Sequence, residues 1–196
     1  MLGMDLCIKI LNRNVSCIWS DPDVIFLRDP QPDLRKEIGD VLIQRKIRHR
    51  EEVSQVYTPN LKLFMARSVA NVVSDLRTIK KMQHLSKQTI EECFHRVMCG
   101  EHEEYRLENT HCFNGKSSTR FLSWNSFLNE DKSNIWDVPP GKFLSTKRLK
   151  QAFTLQYSDG EDSEQKVERA MKHGLLTFDS QLDLCAFEKF GLAQYN

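Results

Sequence analysis

Ile18 to Pro30 reads IWSDPDVIFLRDP: an apolar run, two carboxylates one residue apart, and a second apolar run. Asp21 and Asp23 resist desolvation and repel each other, so they cannot be buried together unpaired. Pro22 between them has no N–H for a ladder and a fixed backbone angle, which ends one strand and begins another. Two arrangements satisfy the carboxylates: a solvated turn, or a bound cation. In extended backbone residues i and i+2 point to one side, where four oxygens suit a hard divalent ion such as Mn²⁺ or Mg²⁺. At the carboxyl end of a strand in an open sheet, that ion would lie where α/β folds bind ligands. It could bridge a diphosphate and neutralise the charge that develops on a leaving phosphate.

Working outward, Leu2, Leu6, Ile10 and Leu11 share a face at helical spacing, Asn12-Arg13-Asn14 turns the chain, and VSCIW enters the sheet as a buried strand. GDVLIQ suits another strand. The basic run RKIRHR, Arg45 to Arg50, reads as a solvated loop because Glu51 and Glu52 follow it. Asn60 to Arg67 reads as a strand. Ser68 is placed to cap a helix carrying Val69, Val72, Val73, Leu76 and Ile79 inward, and a second helix after Ser86 buries Ile90, Phe94 and Val97. STKRLKQAF and EDSEQKVERAMKHG both look helical, the latter stopped by Gly174, with YSDGED as a surface turn between them. Strands alternating with helices predict an α/β sheet covered by helices.

The chain has 196 residues, 40% hydrophobic and 28% charged, enough for one ordinary globular domain or slightly more. A net charge of +1 gives no field that selects nucleic acid or an anionic membrane. No apolar stretch is long enough for a transmembrane span. Six cysteines, at 7, 17, 93, 99, 112 and 185, are too scattered for a dense disulfide scaffold and leave the compartment open.

WSDPDVIFLRDPQP closely resembles the D-x-D segment of the nucleotide-diphospho-sugar transferase family, GT-A-like glycosyltransferases that include plant cell-wall xylosyltransferases. IGDVLIQ looks like that family's next strand, NLKLFMARSVANVVSDL stands in place of its Asn-Thr-Gly-Phe strand and following helix, and CFNGK resembles its Phe-x-Asn-Gly turn. The resemblance covers Leu6 to roughly Phe121. It implies a partial GT-A-like, Rossmann-like α/β sheet, with a transferase domain over residues 1–138 and a helical segment over 139–196. It further implies a metal ion, Mn²⁺ or Mg²⁺, held by Asp21 and Asp23, and a sugar nucleotide donor, a UDP-sugar. The sugar would pass to a hydroxyl of a glycan or glycoprotein in the Golgi lumen. The family's opening βα units, which bind the nucleotide base, have no counterpart before the Asp21 strand, so the chain reads as the D-x-D half of a longer protein. Leu61 and Lys62 stand where the family has Thr-Gly, and EECFH replaces its Asp-Gln-x-x-Phe-Asn, leaving Glu91, Glu92 and His95 as altered candidates.

Competing readings of the same residues are weaker. An aspartyl phosphatase of the haloacid dehalogenase type also uses D-x-D after a strand, but follows the second Asp with a small residue and a flexible loop, unlike DVIFLRDP. A divergent fragment that keeps the motif without holding a nucleotide is the nearer alternative. CFHRVMCGEH with His111 and Cys112 gathers zinc-ligand types at spacings that fit no finger. Asn14-Val15-Ser16 is a formal glycosylation acceptor that runs into the predicted buried strand. Trp19, Trp124 and Trp136 read as packing residues rather than sugar platforms.

Overall fold

The computed structural model describes residues 2–49, 55–100, 111–112, 114–123, 126–129, 150–156, 162–173, 175, 177–179 and 184–186. In chain order the described elements are α1 (Leu2–Leu11), β1 (Cys17–Ser20), β2 (Val24–Phe26), α2 (Gln31–Leu34), β3 (Val41–His49) and β4 (Gln55–Ala66). They continue with α3 (Ala70–Leu85), α4 (Ile90–Cys99), β5 (His111–Cys112), β6 (Thr119–Phe121), β7 (Phe127–Asn129) and β8 (Thr154–Gln156). Last come α5 (Ser163–Lys172), β9 (Thr177–Asp179) and β10 (Leu184–Ala186).

The architecture is mixed α/β. A five-stranded sheet runs β1-β4-β3-β6-β5, antiparallel except where β3 meets β6, and a three-stranded sheet runs β2-β8-β7 with β7 and β8 parallel. Strand alternation explains why the central runs read as uniformly apolar. Val41, Ile43, Phe64 and Ala66 face one core with Val72, Leu76, Ile79, Phe94 and Met98, while Leu42, Leu63 and Met65 face a second with Val24, Leu34, Phe127 and Phe153. Both faces of the sheet are thus covered. Leu76→Ala removes a fully buried side chain from the helix side and should cost on the order of 2–4 kcal/mol in denaturant unfolding; a loss under about 1 kcal/mol would assign the face wrongly.

Several local expectations are corrected. Helix α1 buries Met4, Cys7, Ile8 and Leu11, whereas Leu6 is exposed; the Trp19 ring lies against Gly3, where an added Cβ would overlap it, and Cys7 is bonded to Cys17. Those contacts turn the helix by about one position. Arg45 to His49 is strand rather than loop, because it pairs antiparallel with Gln55–Pro59 after a register shift at Ile43/Gln44. Ser68 does not cap α3: its hydroxyl donates to the Leu11 carbonyl at 2.9 Å, and exposed Val69 takes the cap position without a side-chain bond. As expected, a second helix follows Ser86, which ends α3: α4 begins four residues later at Ile90, behind a capping box between Thr89 and Glu92. Of the segment predicted helical to Phe153, Lys150 and Gln151 are helical, and the chain then passes into β8, which is hydrogen-bonded to β2. Its residues 145–149, like Trp124, Trp136 and Gly174, lie outside the described residues.

Asn14, Val15 and Ser16 are exposed in the turn before β1, so burial does not oppose modification there. Four cysteines pair, Cys7 with Cys17 and Cys99 with Cys112, and Cys93 is a buried free thiol. The zinc-like cluster therefore contains a disulfide and a core thiol.

Candidate functional site

The turn at Asp21-Pro22-Asp23 is built by its strands. β1 pairs with β4 through Ser20 and Leu63; beyond the ladder the Asp21 N–H donates to the Lys62 carbonyl at 2.8 Å, and the Val24 N–H donates to the Asp21 carbonyl at 3.1 Å. The chain then crosses from the large sheet into the small one at β2. Pro22 sits at the second position of this tight turn, where its fixed angle is favourable.

The two carboxylates are not equivalent. Asp21 Oδ1 accepts the Trp19 indole N–H at 3.1 Å. Asp23 is gripped by two ammonium groups, Oδ2 accepting from Lys62 and Oδ1 from Lys166, each at 3.0 Å. These side chains are largely withdrawn from water: 18% of Lys62, 17% of Lys166 and 29% of Asp23 is exposed. Lys62 is set by β4, its N–H donating at 3.1 Å to the side chain of Asn60. Asn60 in turn donates to Gln156 and Gln44, and Gln44 donates to the Phe127 and Leu128 carbonyls. This buried amide network ties the two sheets together directly beneath Lys62. Lys166 stands on α5, whose first turn is capped by Asp162 accepting the Gln165 N–H at 2.8 Å.

Burial works to raise the pKa of Asp23, but the hydrogen bonds from Lys62 and Lys166 outweigh it and hold the carboxyl below its ordinary value. The unfolded chain then binds the proton more readily. This stabilisation is complete above the unfolded pKa near 3.8 and is lost as pH falls through the lowered folded value. Acid unfolding of the wild type should therefore be steeper below about pH 4 than that of Asp23→Asn; superimposable acid melts would remove the ion pairs from the folded state.

A divalent cation does not fit this arrangement. Both oxygens of Asp23 are committed to ammonium groups and one oxygen of Asp21 to an indole. Among the described residues no group of three or more His, Cys, Asp or Glu is placed to hold a metal ion.

Other candidate residues have structural work. Asp29 accepts the Gln31 N–H at 2.9 Å and closes the turn before α2. Glu92 accepts the Thr89 N–H at 2.8 Å in the α4 cap, while Glu91 and His95 are half-buried on the same helix. Asn114 of the Asn-Gly turn donates to the Arg96 and Val97 carbonyls at the end of α4. Gly115 leaves room for buried Asp75, which accepts the N–H and hydroxyl of Ser117. A concavity of about 520 Å³ between the end of α1 and the start of α3 contains no residue of the Asp21-Pro22-Asp23 turn. The polar chemistry of the turn, not that open hollow, makes it the candidate site. Sequence reading flagged Lys62 only as a departure from pattern and missed Lys166, which no local signal connects to Asp23.

A β-arabinofuranosyltransferase of Arabidopsis thaliana, RAY1, is 24% identical over 183 residues, covering 91% of this chain and 34% of that protein. The chain thus spans about a third of that relative's length. No solved structure matches. Among the described residues no helix is long and apolar enough to cross a membrane. The pattern of the nucleotide-diphospho-sugar transferases matches residues 2–169, taking in β1, the carboxylate turn, both lysines and most of α5, and the chain belongs to that family.

Proposed function

We propose that the complete protein transfers a sugar from a nucleotide-diphospho-sugar, a UDP-sugar, to a hydroxyl of a glycan or glycoprotein, with Asp21 and Asp23 marking the diphosphate end of the donor site. One observation carries this reading: at the carboxyl end of β1, inside the family match, a tight turn holds two carboxylates and two partly buried ammonium groups. Crevices at the carboxyl ends of strands are where α/β folds bind ligands. In the transfer, the bond from the anomeric carbon to the β-phosphate oxygen breaks and its electron pair leaves with the nucleoside diphosphate. The acceptor oxygen forms the new bond and gives up its proton. Fixed positive charge beside the departing diphosphate stabilises that charge build-up.

The donated sugar is a hexose or pentose, and the named relative, an arabinofuranosyltransferase, favours the pentose. Two disulfides suit an oxidising compartment, which supports placement in the Golgi lumen. The test is titration of the purified complete protein with UDP and with GDP. Saturable binding of UDP, preferred over GDP, is expected. Failure to bind any nucleoside diphosphate would instead favour a divergent module that keeps the motif without the donor.

A further inference from the structure

We infer that Lys62 and Lys166 take the place of a divalent cation at the donor's diphosphate, with Asp23 serving as the counter-ion that keeps both ammonium groups aimed at the site. The inference rests on the sugar-nucleotide reading of the turn and deepens it.

The charge count and geometry support it. Each oxygen of Asp23 already carries one charge-assisted bond at 3.0 Å, so a metal ion would approach the carboxylate against two ammonium charges. A diphosphate bridging two sugars carries about two negative charges; the two ammonium groups face them, with the Asp23 carboxylate offsetting one of the two positive charges. Lysine is a compact charge with three donors on a flexible stem, a common phosphate binder that can turn from one anion to another without moving its backbone. Both stems are mostly shielded from water, which strengthens their field.

The two lysines are also independently positioned. Lys62 is fixed from below by Asn60, its N–H donating to that buried side chain. Lys166 comes from α5, on the far side of the chain's sequence, and reaches the same carboxylate. Loss of either leaves Asp23 with one partner and the diphosphate with one cation. Asp21, bonded to Trp19, stays outside this exchange.

The experiment is calorimetric titration of the complete protein with UDP in chelator, repeated with Mn²⁺. The expected result is an affinity unchanged within about twofold between the two buffers. Lys62→Met and Lys166→Met should each weaken binding tenfold or more, while Lys62→Arg and Lys166→Arg, which keep the charge, retain most of it. Thermal melts establish that the variants are folded; if a Met variant does not fold, the Arg variants and the fall of affinity with added salt still decide. Binding that appears only with Mn²⁺ overturns the inference and leaves the sugar-nucleotide reading standing. Binding that is metal-independent but indifferent to both lysines also overturns it. Absence of UDP binding in both buffers overturns the inference together with the reading beneath it.

Discussion

Reduction of both disulfides should destabilise the chain by roughly 6 kcal/mol, about 3 kcal/mol from each in the loop-entropy account. The bridges close short loops, with separations of 10 residues for Cys7 and Cys17 and 13 for Cys99 and Cys112. Their placement makes the effect cooperative. Cys7–Cys17 locks α1 to β1, the strand that leads into the carboxylate turn, and Cys99–Cys112 locks the end of α4 to edge strand β5. A domain of this size is typically stable by only about 5–15 kcal/mol, so a reductant should bring the protein close to unfolding at ambient temperature. Denaturant titration with and without dithiothreitol measures the sum. A Cys99→Ser, Cys112→Ser double variant, made together so that neither leaves a lone thiol, isolates one half. An unchanged midpoint in reductant would show that the pairs do not form in the purified protein and would withdraw the support they lend to a luminal location.

What the sequence revealed and concealed follows from the range of the forces involved. Val72, Leu76 and Ile79 were legible because helix periodicity is a local property, and all three are fully buried. Val41 to Ile43 and Leu63 to Ala66 were legible because burial on both faces leaves no polar alternation to interpret. Pro22 announced a turn. By contrast, Arg45 to His49 is strand only because Gln55 onward pairs with it, and charge composition carries no trace of that partner. Ser68 has the chemistry of a helix cap, but the Leu11 carbonyl captures its hydroxyl. Cysteine connectivity cannot be deduced from spacing. The pairing that most alters the chemistry, Lys166 with Asp23, joins residues 143 apart. The motif located the carboxylate turn, and long-range packing decided what Asp23 is paired with.

The amide network beneath Lys62 should be the most sensitive polar element of the fold, and Asn60→Ala should cost roughly 4 kcal/mol. Asn60 is 5% exposed, as is Gln156, and Gln44 is 1% exposed. Removing the Asn60 amide takes a donor from Gln156 Oε1 at 2.6 Å and from Gln44 Oε1 at 3.3 Å, and takes the acceptor from the Lys62 N–H. Each buried group left without its partner costs about 1–3 kcal/mol. The network also spans β3 and β4 on one side and β7 and β8 on the other, so the loss falls on the contact between the two sheets. Replacing Asn60 and Gln156 together with Leu should recover part of the stability, because it removes the unpaired Gln156 amide, although Gln44 Oε1 and the Lys62 N–H still lose their Asn60 partner. That double variant still lacks the side-chain oxygen that holds the Lys62 backbone, so UDP binding should remain weakened even where stability returns. Stability and binding would then separate, as expected if Asn60 is a positioning residue for Lys62. If stability and affinity instead recover together, the network is a packing device, and Lys62 is aimed by its strand and by Asp23 alone.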